Sequence, residues 1–189
     1  MNGMDLKAEL HQKLRASRAV MLARVEGLSE YNMRRPMTPT GTNLLGLIKH
    51  LAGVEYVYFG DSLGRPAPEM LAWNEDGSVW DGADMWAKDD ETSDYLIGLY
   101  RRACEHGDQT IDALDLDAAA HVPHWPGEGA DTTLGVLLIH MLEETAHHAG
   151  HADIVREMVD GRPGSDERDE AGWQTYVAQI QGAADTFAD

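Results

Sequence analysis

Apolar residues recur at helical spacing over four long stretches, and each stretch ends on glycine, proline or a cluster of turn formers. The first runs from about Asp5 to Leu28. Leu6, Leu10 and Leu14 follow one another at four-residue intervals, and Met21, Leu22 and Val25 continue the pattern. The residues between them are mostly Ala, Arg, Lys and Glu, which favour helix. It closes near Gly27, and the segment MRRPMTPTGT behind it is turn-prone, with Pro36 and Pro39 imposing extended backbone. A second helix is predicted from Thr42, a good N-cap after Gly41, to about Phe59. Leu44, Leu47, Leu51, Val54 and Tyr58 form one face of it, and Gly60 with Gly64-Arg65-Pro66 ends it.

A third helix is predicted over about Thr92 to Leu114, with Leu96, Leu99, Tyr100, Ala103, Ile111 and Leu114 as its apolar set. VPHWPGEGADTT then leads to a fourth, about Thr133 to Val159, which stops at Gly161-Arg162-Pro163-Gly164. A shorter fifth helix is expected over about Glu170 to Phe187. No segment carries a convincing strand pattern. Residues 61–90 read as irregular, with Pro66, Pro68, Gly77, Gly82 and three tryptophans, Trp73, Trp80 and Trp86. A stretch this long without regular structure is often functional; the plainer reading is that the tryptophans only lid the core. The expected architecture is an all-α four-helix bundle over residues 1–164, with residues 165–189 a C-terminal helical extension packed on the same domain.

Composition narrows the function classes. The 189 residues suffice for one domain with its own core, and 43% apolar with 25% charged residues is ordinary globular usage. A single cysteine, Cys104, excludes an intrachain disulfide framework and a Cys-rich zinc finger. The net charge of −18 repels phosphate backbones and anionic lipid, so neither nucleic acid nor a membrane is an expected partner. No apolar run approaches a membrane span, and the charged N-terminus lacks a signal-peptide core, so the expected location is cytoplasmic.

The chemistry lies in the fourth helix. With His148 as angular origin, Leu137, Met141, Val155 and Val159 fall within roughly 20° of it, so His148 sits in the apolar stripe. Glu144, one turn back, is offset by roughly 40° and stays on the buried side. His151 and His140 lie roughly 60° and 80° away, near the margin, and His147 at roughly 100° leaves the core face. A carboxylate in an apolar stripe must be paired, protonated or bound to a metal. A Glu and a His at i and i+4 can point at one ion, and their donor atoms suit zinc and several other divalent metals. His50, in the middle of the apolar second helix, is the natural third ligand. Two histidines and one glutamate leave a coordination position open, as catalytic metal sites do. Two alternatives stay open: a hydrogen-bonded Glu-His core pair without metal, and His147 with His151 as the ligand pair. Cys104 reads as a helix cysteine without an activating partner, and Glu55, five residues after His50, is given no catalytic role.

Two strings carry a resemblance: LLGLIKHLAGVEYVYFGDSLGRP and, more specifically, HMLEETAHHAGHADIVREMVDGRPG. They resemble the DinB-like superfamily, in particular the actinobacterial branch that includes the mini-circle type proteins. The resemblance implies a four-helix bundle with an up-down-down-up course and a divalent metal in its core. Many relatives use three histidines; aligning HAGH with their usual HRGQ puts Glu144 where the first histidine of the pair would stand. The resulting His50, Glu144 and His148 set is similar to that of the mycothiol-dependent maleylpyruvate isomerase. His151 stands where relatives have Gln, a place for a substrate contact. The resemblance further implies a small-molecule substrate, a low-molecular-weight thiol such as mycothiol as co-substrate, and often a homodimer. On this reading a metal (zinc first; nickel, manganese or iron also fit) holds the thiolate, and His151 or His140 moves a proton. The alternatives are a non-catalytic bundle that binds metal or a small ligand, and a hydrolase that uses metal-bound water.

Overall fold

Three of the four bundle helices begin where a side-chain oxygen meets an otherwise unpaired amide. The structure is a computed structural model, and it describes residues 5–161 and 168–188. Asp5 accepts from the Ala8 N–H at the head of α1 (Leu6–Val25). Asn43 accepts from the Gly46 N–H at 2.7 Å at the head of α3 (Leu44–Phe59). Thr92 accepts from the Tyr95 N–H at the head of α5 (Ser93–Ala113). The cap of α3 is thus Asn43, one residue beyond the expected Thr42, because the amide of Asn43 works at both ends: its Nδ2 also donates to the Gly41 and Met85 carbonyls.

The fourth long helix, α6 (Leu134–Asp160), closes at Gly161 with φ +71°, the left-handed cap that glycine supplies. The rest of the expected stop and the boundary at 164 lie outside the described residues. Helix α7 (Glu170–Asp185) follows. None of its residues is buried, so the expected packing of this extension on the bundle gains no support from it.

Two expectations need correction. A short helix α2 (Glu30–Arg34) occupies the start of the turn-prone segment, because Ser29 caps it through the Asn32 N–H. A small antiparallel sheet also forms, β1 (Ala119–His121) against β2 (Asp131–Thr133), with Ala120 opposite Thr132. These strands are three residues each, too short to show a period. The segment after α3 holds a further short helix, α4 (Ala72–Glu75), and single turns at Asp61–Leu63 and Ser78–Asp81. No helix is long and apolar enough to cross a membrane among the described residues.

Contacts along the helices fix their directions. Lys7 reaches the Leu114 carbonyl and His11 pairs with Asp108, so α1 and α5 run opposite ways. Arg24 pairs with Asp153 while Leu14 packs with Leu137 and Met141, so α1 and α6 run together. His50 meets Glu144 and Tyr58 meets His140, so α3 opposes α6. Lys49 pairs with Glu91 just ahead of α5, and the Tyr56 ring meets His106 further along, so α3 and α5 run together. The course is up, down, down, up.

The interior has two apolar clusters, one around Leu51, Leu96 and Tyr100, the other around Leu14, Phe59 and Leu137. A buried ion network lies beside them. Arg18 donates to both Glu55 carboxylate oxygens at 2.6 Å and to Asp108 at 2.6 Å, and His11 also contacts Asp108. Glu55 is fully buried, so Arg18 supplies what its position demands. Gly107 leaves room for the network: a Cβ there would stand 2.9 Å from a Glu55 oxygen and 3.0 Å from Arg18. Glu55→Leu should therefore lower unfolding free energy by about 3 kcal/mol, because it leaves the buried guanidinium with Asp108 as its remaining carboxylate. In urea titrations, the double change Arg18→Met with Glu55→Leu should recover most of that loss; a double variant as unstable as the single one would contradict this account.

Candidate metal centre

Helix α3 turns His50 toward α6, where Glu144 and His148 stand one turn apart. The His50 Nε2 lies 3.0 Å from Glu144 Oε1, and the His148 Nε2 lies 3.1 Å from the same oxygen. The two imidazoles meet edge to face with centroids 5.0 Å apart. One ligand atom from each of the three residues lies within 4.8 Å of the other two, and all three side chains are half-buried. The site has water on one side and the bundle core on the other.

The other nitrogen of His50 has its own partner. Nδ1 stands 2.7 Å from Asp84 Oδ2, and Asp84 is buried. A carboxylate that accepts from Nδ1–H orients the ring and keeps Nε2 for an ion, the arrangement seen behind metal-bound histidines. The backbone around Asp84 is fastened to α3. The Met85 carbonyl accepts from Asn43, and the Trp86 carbonyl accepts from Lys49 Nζ at 3.0 Å. Lys49 is fully buried; it also pairs with Glu91 at 2.7 Å and lies 4.5 Å above the Trp73 ring. Gly46 permits the close approach, since a Cβ there would fall 1.9 Å from the Met85 oxygen.

The electrostatics favour a cation. Burial alone would lower the His50 pKa, but hydrogen bonds to Asp84 and Glu144 outweigh it and push the imidazole up to about 9. The hydrogen bonds from His148 and His50 hold Glu144 well below the usual carboxylate range. At neutral pH a proton on His50 thus supplies the positive charge that the two carboxylates call for. A divalent ion held by His50, Glu144 and His148 would supply the same charge, and this donor set fits zinc, nickel, manganese or iron.

The other expected residues fall in different places. His151 is exposed, with its Nδ1 3.5 Å from His148 Nδ1, at the outer edge of the site. His147 is exposed and takes no part in the cluster, in line with its angular position. His140 turns to Tyr58 and Trp125, with centroids at 4.7 and 5.0 Å, rather than to the triad. Burial pushes the Cys104 thiol up, away from nucleophilic use. Trp73 lids the core, whereas Trp80 and Trp86 keep most of their surface in water. Sequence reasoning missed Asp84. It reaches His50 across 34 positions from a loop, so no helical spacing connects the two.

A family model described as Mycothiol-S-transferase matches residues 9–161. The match agrees with the DinB-like, mycothiol-related resemblance of the two sequence strings. No curated protein matches the chain.

Two outcomes follow for metal binding. Asp84→Asn should weaken divalent-metal affinity roughly 10- to 100-fold while the helical circular dichroism stays, as loss of a carboxylate behind a ligating histidine does. Affinity should also rise with pH up to about 9, since the ion must displace the His50 proton. Calorimetry in buffers of different ionisation enthalpy would show that proton release; pH-independent affinity between 7 and 9 would contradict it.

Proposed function

The chain belongs to the mycothiol-S-transferase family, and we propose that it is a divalent-metal-dependent enzyme that joins a low-molecular-weight thiol, mycothiol, to a small electrophile. The observation that carries this reading is the convergence of His50, Glu144 and His148 from two helices on one point. No fourth His, Cys, Asp or Glu joins that group among the described residues, which leaves room for an exogenous ligand.

A bound divalent ion would act as a Lewis acid that lowers the pKa of a thiol brought to it. The remaining work falls to the chain. His148 and His50 hold the Glu144 carboxylate ionised, and Asp84 fixes the His50 ring. His151, exposed and beside His148, takes the thiol proton and passes it to water. The thiolate sulfur then forms a bond to the electrophilic carbon, whose leaving group departs with its electron pair. His140 lies one turn before Glu144 on α6, among aromatic rings, so His151 is the better placed of the two for proton transfer. The substrate is a small molecule, and the setting we propose is the cytoplasm, where thiols stay reduced.

Metal analysis and a thiol-transfer assay test the reading together. Protein purified without chelator should carry about one divalent ion per chain, and Glu144→Gln and His148→Ala should lose it with the fold retained. Thiol conjugation should require both ion and thiol, and His151→Gln should slow it by roughly 100-fold with metal content unchanged. Hydrolysis that proceeds without thiol would favour the hydrolase alternative. A chain that binds no ion after reconstitution would remove the enzyme reading.

A further inference from the structure

One turn from Glu144, at a helical rise of roughly 6 Å, the groove between α3 and α6 changes character. The ligand atoms give way to a set of rings. Tyr58 on α3 and His140 on α6 meet at 4.7 Å and 75°. Trp125, from the connection between β1 and β2, stands 5.8 Å from Tyr58 and 5.0 Å from His140. His124 joins at 5.9 Å from Tyr58, and Trp80, from the 78–81 turn, stands 5.8 Å from His124. Two loops far apart in the chain therefore converge on one stretch of the groove.

The inner part of this set is anchored. Tyr58 is 7% exposed, and its hydroxyl accepts from Trp125 Nε1 and lies 3.3 Å from His124 Nε2. The outer part is not buried: Trp80 is 75% exposed and His124 is also exposed. Core formation explains the anchored rings but not a tryptophan held out in water next to them. Burial and the nearby His140 hold His124 below the usual imidazole range, so at neutral pH it presents an uncharged ring.

We propose that this wall of rings binds an uncharged aromatic or conjugated group, and that the group is the body of the electrophile. The second clause rests on the transferase reading; the first does not. Ring pairs tilted at these distances offer both hydrogen-bearing edges and electron-rich faces. A planar π system engages them in offset or edge-to-face contact, whereas a saturated ring of the same size finds only apolar area. A group bound there lies one helical turn from the triad, which brings an attached reactive carbon toward the thiol.

Matched probes separate the two kinds of contact: 2-naphthol and its saturated counterpart, decahydro-2-naphthol, titrated by ligand-observed NMR into metal-free and metal-loaded protein. The aromatic probe should bind about fivefold or more tighter, the size expected of one or two ring contacts. Trp80→Ala, at an exposed position that the fold tolerates, should abolish most of that preference, and Trp125→Leu should do the same if it folds. Glu144→Gln should bind 2-naphthol as the unaltered protein does. Equal binding of the two probes, or an undiminished preference in Trp80→Ala, would overturn the inference. Retained aromatic preference in a protein that shows no thiol transfer would remove the transferase reading and leave the binding wall standing.

Discussion

Helix α3 sets the terms for the rest of the molecule. Thirteen of its 16 residues are buried, and it nonetheless carries Lys49, His50 and Glu55. Ionisable groups in such a helix must find partners, since an unpaired buried charge costs several kcal/mol. The partners come from three elements. Glu55 takes Arg18 of α1, Lys49 takes Glu91 and the Trp86 carbonyl, and His50 takes Asp84 on one side and Glu144 of α6 on the other. Three polar demands on one helix thus dictate where α1, α6 and the 84–91 segment sit, the last of these serving both Lys49 and His50. Apolar packing alone would tolerate a slide of one helix along another; these pairings do not.

The same demand bears on the choice between the proposed metal centre and a hydrogen-bonded core pair. A neutral Glu-His pair would need one carboxylate and one imidazole. Here two carboxylates face His50, and Glu144 also accepts from His148. The excess of negative charge is satisfied in the metal-free chain by the proton on His50. The divalent ion we propose would satisfy all three ligands at once and leave Asp84 to hold the tautomer. The His147–His151 alternative has no such support: both side chains are exposed, and His147 meets no carboxylate of the cluster.

How much of this was legible in the chain depends on the range of the contact. Helices whose apolar positions recur at three and four residues were placed to within a few residues, because period and caps are local. Glu144 and His148 were found by angle for the same reason. His50 required a guess about which helices face each other, which the run of apolar residues around it made reasonable. Asp84 and the Arg18–Glu55 pair were out of reach. Glu55 was set aside because it lies off the His50 face, yet a helix buried nearly all round has no solvent face to give it. Lys49 carries no signal in the sequence for its place, with stem and ammonium wholly in the interior. The resemblance offers His140 beside His151 as a proton carrier, and its place among rings is visible only in the tertiary contacts.

The long irregular segment after α3 has a topological cause. Because α3 and α5 run in the same direction, the chain leaving Phe59 must travel back along the whole length of α3 before α5 begins at Ser93. A 16-residue helix is about 24 Å long, so a short loop is impossible. The return path can be followed by its contacts. Glu69 meets Tyr56, Trp73 lies beside Gly53 and under Lys49, Asp84 meets His50, and the Met85 carbonyl rests on Gly46. An up-down-down-up bundle therefore carries an obligatory strap across one face of α3, and here the strap holds one side chain of each proposed site. Asp84 points inward to orient a ligand, while Trp80 stands four residues earlier at the rim of the ring cluster. Any change that loosens the strap must then disturb the metal ligand and the aromatic wall together, although the two share no side chain.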